Sequence, residues 1–162
     1  MLGFCTVIFE KLHQQVRCGL EPNGAYPMTK SIPAGWHSVT PRLVAHDVAK
    51  LVEFLKYAFG GTGDCYPDMP CQIRIGDSLV MVSEVGVRDA MPAFLYLYVD
   101  DIDATYERAL KAGADWLEQP QDMPYGDRRC MVKDPGGNIW QIATHDEEAF
   151  LEFMRQRSAL QR

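Results

Sequence analysis

The run Phe94-Leu95-Tyr96-Leu97-Tyr98-Val99 carries the most chemically suggestive spacing in the chain. On a strand its residues alternate between faces, so Phe94, Tyr96 and Tyr98 share one side and Leu95, Leu97 and Val99 the other. The aliphatic side is made for a core. A wall of three rings, two bearing hydroxyls, either meets an organic ligand or packs in a core or dimer interface. Arg42 sits on an earlier candidate strand, where it anchors an anion, pairs with a carboxylate, or stands at a rim. Among the histidines, His37 follows Trp36 just before that strand, where it acts as a general base or caps the surface. His46 falls at a helix start, and His145 ends the last strand, where it is expected to meet solvent. Tyr125-Gly126-Asp127-Arg128 suggests a loop closing a pocket, fixed by an Asp127–Arg128 ion pair. Glu84 and Glu118 end strands and read as exposed. The five cysteines have no C-x-x-C spacing and read as free thiols of a reducing compartment, with Cys71 and Cys130 inert on strands.

The elements that must position these residues are legible from pattern. Val39 to Ala45 is a strand. Asp47 caps a helix whose apolar stripe is Val48, Leu51, Val52, Leu55, Tyr57, Ala58 and Phe59, ended by Gly60-Gly61. Strands follow near Gly63–Tyr66, Cys71–Ile75 and Ser78–Ser83, the last two joined by Gly76-Asp77. The pattern then returns: strand Phe94–Val99, a helix capped by Asp101 and stopped at Gly113, and strands near Asp115–Gln119, Arg128–Lys133 and Asn138–Thr144. Asp134-Pro135-Gly136-Gly137 joins the last two by a turn. Asp47 and Asp101 stand 54 residues apart (101 minus 47), as do Ala58 and Ala112, while Gly76 and Gly136 stand 60 apart. The chain is therefore an internal repeat of two β-α-β-β-β modules, an α+β fold, with a helix from Asp146 to the end. The expected organisation is an N-terminal extension over 1–30, a domain over 31–145 with modules at 36–85 and 92–145, and a C-terminal helix over 146–162. The extension is expected to be helical around Val7–Val16.

Bulk properties bound the function. A net charge of −6 argues against nucleic acid or an anionic membrane as partner. No apolar run spans a bilayer, and the apolar start lacks a basic region before it, so a cytoplasmic protein is expected.

Paired β-α-β-β-β modules resemble the vicinal oxygen chelate superfamily, which includes glyoxalase I, bleomycin-resistance proteins, fosfomycin-resistance enzymes and extradiol dioxygenases. The segments Ile32 to Val44, Glu53 to Gly60, Tyr125 to Arg128 and Asp134-Pro135-Gly136-Gly137-Asn138-Ile139-Trp140-Gln141-Ile142-Ala143-Thr144-His145 look like its PhnB-like branch. The resemblance implies curled sheets forming a cup, with helices on the convex side. It also implies metal ligands at matching points of the first and last strand of each module. Carried over, those points are Thr40, Met81, Phe94 and Gln141, a set that makes no credible divalent-metal site. Expected ligand contacts are Thr40, Arg42, Met81, Phe94, Tyr96, Tyr98, Tyr125 and Gln141. The expected function is binding of a small organic molecule, planar or anionic, in an aromatic-lined cup without metal or cofactor, as in drug sequestration. The alternatives are a divalent-metal enzyme of glyoxalase or dioxygenase type, and a metal-free acid–base enzyme using Arg42, His37 or a tyrosine. The resemblance also implies a homodimer.

Overall fold

The computed structural model describes residues 31–86 and 88–160, so the helix expected around Val7–Val16 lies outside the described residues. The described residues from Ala34 onward form one compact unit. Its first module comprises β1 (Arg42–Ala45), α1 (Val48–Phe59), β2 (Cys71–Ile75) and β3 (Ser78–Glu84). The second comprises β4 (Phe94–Tyr98), α2 (Ile102–Lys111), β5 (Asp115–Asp122), β6 (Asp127–Lys133) and β7 (Ile139–His145), and α3 (Glu147–Leu160) follows. Among the described helices none is long and apolar enough to cross a membrane.

Local chemistry sets the boundaries. Asp47 Oδ1 accepts from the Lys50 amide at 2.9 Å, and Asp101 Oδ1 accepts from Ala104 at the same distance. Each satisfies one of the donors that a helix start leaves open. Gly60 ends α1 at φ 66°, a left-handed conformation that suits glycine. β1 begins at Arg42, later than the pattern suggests. Pro41 has no amide proton to give, although its carbonyl accepts from Met81 at 2.9 Å.

The first sheet runs β1-β3-β2 and the second β4-β7-β6-β5. In each, the first and last strands of the module pair parallel and the rest antiparallel. Arg42 stands opposite Met81, and Tyr96 opposite Gln141. The repeat seen in the sequence is thus repeated in the register. The strand expected at Gly63–Tyr66 is reduced to one bridge between Thr62 and Arg74. Gly63 at φ 135° presses against the Gln72 carbonyl, where a Cβ would collide. Beyond it Pro67, Asp68 (φ 63°) and Pro70 cannot extend a ladder.

α1 and α2 feed one core. α1 contributes Leu51, Phe54, Leu55 and Ala58, α2 contributes Ile102, Tyr106 and Ala109, and the strands add Leu43, Ile73, Val82, Val132, Trp140 and Ile142. Phe59 meets Trp140 at a ring distance of 4.8 Å, and Arg108 Nε donates to the Ala58 carbonyl, so the two modules are joined through their helix layer. Asp134, 2% exposed, shapes the β6–β7 turn. Its carboxylate accepts from the Gly136 and Asn138 amides, the Asn138 side chain and Trp140 Nε1 at 2.8–2.9 Å.

The free-thiol expectation fails for two cysteines: Cys65 and Cys71 form a disulfide across six residues. Cys130 is a buried free thiol whose pKa burial pushes up to about 12. It packs with the core on the helix side, and so does Cys71.

Candidate functional site

The second sheet presents its aromatic row outward. Phe94, Tyr96 and Tyr98 are 61%, 42% and 60% exposed, whereas Leu95, Leu97 and Val99 pack against the core. The alternation read from the sequence therefore holds, and the rings stand on the face turned away from α1 and α2. The Tyr96 and Tyr98 rings lie 4.9 Å apart, tilted by 41°.

Behind the two phenols lies Asp127, the first residue of β6 and only 5% exposed. Tyr96 Oη donates to its Oδ2 at 2.7 Å and Tyr98 Oη at 3.3 Å. His145, opposite Asp127 in the β6–β7 register, places Nδ1 2.7 Å from Oδ1. Its other nitrogen, Nε2, lies 3.0 Å from Glu147 Oε2 in the first turn of α3. Both ring nitrogens thus face carboxylates, the setting of an imidazolium. The His145 ring also leans on Phe150, 5.6 Å away. Gly126 makes this possible: at φ 93° it lies where a Cβ would strike the Phe150 amide and the Asp146 carbonyl, so α3 starts directly over the site.

The titration directions follow from this geometry. Burial and then the bond to Asp127 hold the Tyr96 phenol far above its ordinary range, so it stays protonated. Burial raises the Asp127 carboxyl, but the bonds from His145 and Tyr96 outweigh it and leave the group below the usual carboxylate range. The bond to Asp127, then that to Glu147, raises the His145 imidazole.

Beside this cluster, Gln141 stands opposite both Tyr96 and Met131. With its amide oxygen turned to Arg129, it accepts from Nη1 at 2.7 Å and from Nε at 3.3 Å. Arg129 Nη2 donates to Glu118 at 2.7 Å, so this guanidinium is held by its own sheet. Two clefts flank the tyrosines. One of about 420 Å³ is lined by Tyr98, Val99, Asp100, Thr144 and His145. Another of about 630 Å³ runs along the free edge of β4, past Tyr96 and Tyr98 to Pro41 and Ser78 of the first module.

The other expected contacts are dispersed. Arg42 is exposed on the first sheet, and its Nε donates to Ser83 Oγ at 2.9 Å. Met81 stands opposite it. Thr40 precedes β1 and donates to the His37 carbonyl at 3.4 Å. Tyr125 occupies the β5–β6 turn, and His37 and His46 are exposed. Phe94, Tyr96, Tyr98 and Gln141 therefore share one sheet, while Thr40, Arg42 and Met81 belong to the other module. The Asp127–Arg128 ion pair does not form, because strand neighbours point to opposite faces. Arg128 instead meets Asp103 at 2.8 Å and Asp122 at 2.9 Å, and it holds the Asp103 carboxyl below its ordinary range. His145, expected in solvent, is 38% exposed and bonded through both nitrogens.

Arg129, and the pairing of Asp127 with His145, are what pattern reading missed. A signal for that pairing exists. The turn at Asp134–Gly137 pairs Lys133 with Ile139, and counting six residues outward along both strands pairs Asp127 with His145.

The positions that correspond to a metal site in the resembled superfamily hold Thr40, Met81, Phe94 and Gln141, whose only good oxygen donor is turned to Arg129. Among the described residues no three His, Cys, Asp or Glu side chains group as a metal ion requires. The donors do not fit a metal centre.

Comparison with known proteins agrees with the fold. The chain is 29% identical over 123 residues to the uncharacterized protein Rv0887c of Mycobacterium tuberculosis, spanning 65% of this chain and 72% of that one. Its structure is similar to that of TioX from Micromonospora sp. ML1, with a TM-score of 0.59 and 25% identity over 67% of this chain and 98% of TioX. A glyoxalase/bleomycin resistance protein/dioxygenase family enzyme from Burkholderia phytofirmans PsJN shares the fold at a TM-score of 0.57 and 17% identity, covering 66% and 97% of the two chains. A family model matches residues 37–142, and this chain belongs to the Glyoxalase/Bleomycin resistance protein/Dioxygenase superfamily.

Proposed function

We propose that the protein binds a small organic molecule against the aromatic face of its second sheet, and does so without a metal. The observation that carries this reading is the exposure of Phe94, Tyr96 and Tyr98 together with the rigidity of the two phenols. Large rings left in water at about half or more of their surface are unspent binding area. Here two of them are already oriented by a buried carboxylate, so little side-chain freedom is lost when a ligand docks.

A second copy of the chain completes the cup in this reading. One chain offers the rings an open face flanked by clefts, and β4 leaves one edge unpaired within its sheet. Unpaired edges and exposed rings are both surfaces that association covers. A second functional reading, acid–base chemistry without metal, is favoured by the Asp127–His145 contact next to a phenol that stays protonated.

The test is a screen of flat aromatic compounds by thermal shift and tyrosine fluorescence on wild type and Tyr96→Ala/Tyr98→Ala. Binders should be found and lost together with the rings. Binders retained at full affinity by a folded double variant would remove the site from this face. Light scattering on the same samples should give twice the chain mass.

A further inference from the structure

The polarity of the hydrogen bonds on the aromatic face restricts what it can hold. A phenol has one proton to give, and both Tyr96 and Tyr98 give theirs to Asp127 Oδ2. What each phenol oxygen turns outward is lone pairs alone. His145 has two N–H groups at most, and both face carboxylates, Asp127 and Glu147. Arg129, the guanidinium of the same face, is held by Glu118 and Gln141. Two further N–H groups of Arg129 and the amide NH₂ of Gln141 are the remaining donors among these groups. The tyrosine end of the site is therefore a field of acceptors. It is set against two π faces, with Asp100 and His145 beside Tyr98 in the adjoining cleft. Asp100, Asp127 and Glu147 outweigh the one imidazolium among them in charge. Arg42, for which an anion anchor is one of three readings, is on the first sheet, bonded to Ser83.

We infer that the ligand of this face is a planar cation carrying N–H donors, of the arylamidine or protonated arylamine class, with its ring on Tyr96 and Tyr98 and its N–H groups on the phenol oxygens. The inference rests on the binding reading above and names the ligand class for it. A donor-bearing cation satisfies the outward lone pairs and gains from the ring quadrupoles. A carboxylate or phosphate in the same place meets acceptors and like charge.

Three probes of similar shape separate the possibilities on the full chain: benzamidine, its anionic counterpart benzoate, and neutral acetophenone. Affinity is measured by calorimetry, and the place of binding by amide shifts in ¹⁵N-labelled protein. Benzamidine should bind about tenfold or more tighter than benzoate, shifting Phe94, Tyr96, Tyr98 and Gln141. Tyr96→Phe/Tyr98→Phe keeps the rings, removes the acceptors, and should weaken benzamidine about tenfold. If that variant does not fold, Tyr98→Phe alone, which removes the longer bond, should weaken it about threefold. Benzoate binding as tightly as benzamidine on these residues, or a folded phenylalanine variant that keeps full benzamidine affinity, overturns the ligand class. Acetophenone alone shifting this face leaves the binding reading standing without the cationic class. No shift there from any of the three removes both.

Discussion

Asp127→Asn perturbs the organising group of the proposed site while keeping its shape. Two phenols donate to the wild-type carboxylate, one at 2.7 Å and one at 3.3 Å. A hydrogen bond to a charged acceptor contributes about 1.5–3 kcal/mol and a neutral one about 0.5–1.5 kcal/mol. Neutralising the acceptor therefore costs about 1 kcal/mol at Tyr96 and less at Tyr98, about 1–2 kcal/mol in all. Relief of burying a charge works the other way. The Asp127 carboxyl nevertheless lies below its ordinary range, which means the bonds outweigh the burial in the folded state. At about 2–4 °C per kcal/mol for a domain of this size, the melting temperature should fall by roughly 2–8 °C near neutral pH. The second readout is His145. The asparagine keeps its oxygen for the phenols and turns its NH₂ to Nδ1, which must then accept, so the imidazole should titrate lower than in wild type.

The pH dependence has a definite sign. His145, raised on folding, adds stability that is complete below about pH 6.5 and is lost as pH rises through its folded value. Asp127, lowered on folding, adds stability present above about pH 4 that is lost as pH falls through its folded value. The gap between wild type and Asp127→Asn should be widest between about pH 4 and 6.5 and narrow on either side. Calorimetric scans across pH with an NMR titration of His145 supply both readouts. A melting temperature within about 1 °C of wild type at every pH, with His145 titrating unchanged, would refute the reasoning.

Three further outcomes follow from the same structure. Reducing the Cys65–Cys71 disulfide, or Cys65→Ser, should cost about 2 kcal/mol from the closed loop alone, read as a melting shift with and without reductant, while Cys130 resists alkylation until unfolding. Asp134→Ala strips a buried acceptor from Asn138 and Trp140 and should cost about 3–5 kcal/mol in urea unfolding, with loss of native Trp fluorescence. Gly126→Ala at φ 93° sets a methyl against the α3 backbone and should cost about 1–3 kcal/mol, shifting the His145 and Phe150 signals more than those of the first module.

What was legible in the sequence was periodic or local. The alternation of Phe94 to Val99, the caps Asp47 and Asp101, the turn at Asp134 to Gly137 and the repeat each lie within a few residues or recur at a fixed offset. What was missed depends on chain geometry at longer range. Tyr96 meets Asp127 across 31 residues, and the intervening β5 has register shifts that no count along the chain anticipates. The pairing of Asp127 with Arg128 failed because adjacency in sequence is opposition on a strand. The strand expected at Gly63 failed because a glycine chosen for close backbone approach reads, by composition, like any other β segment boundary. Cys65 and Cys71 carry no motif; their pairing comes from the turn that Pro67, Asp68 and Pro70 impose.

The most direct test of the central claim is a crystallographic soak of wild-type protein with a small set of planar aromatic fragments. Fragment density should lie over the Tyr96 and Tyr98 rings, within hydrogen-bonding distance of the phenol oxygens, and reach towards Gln141. Fragments that collect in the cleft along β4 or on the first sheet, with the aromatic face empty in every crystal, would contradict the account.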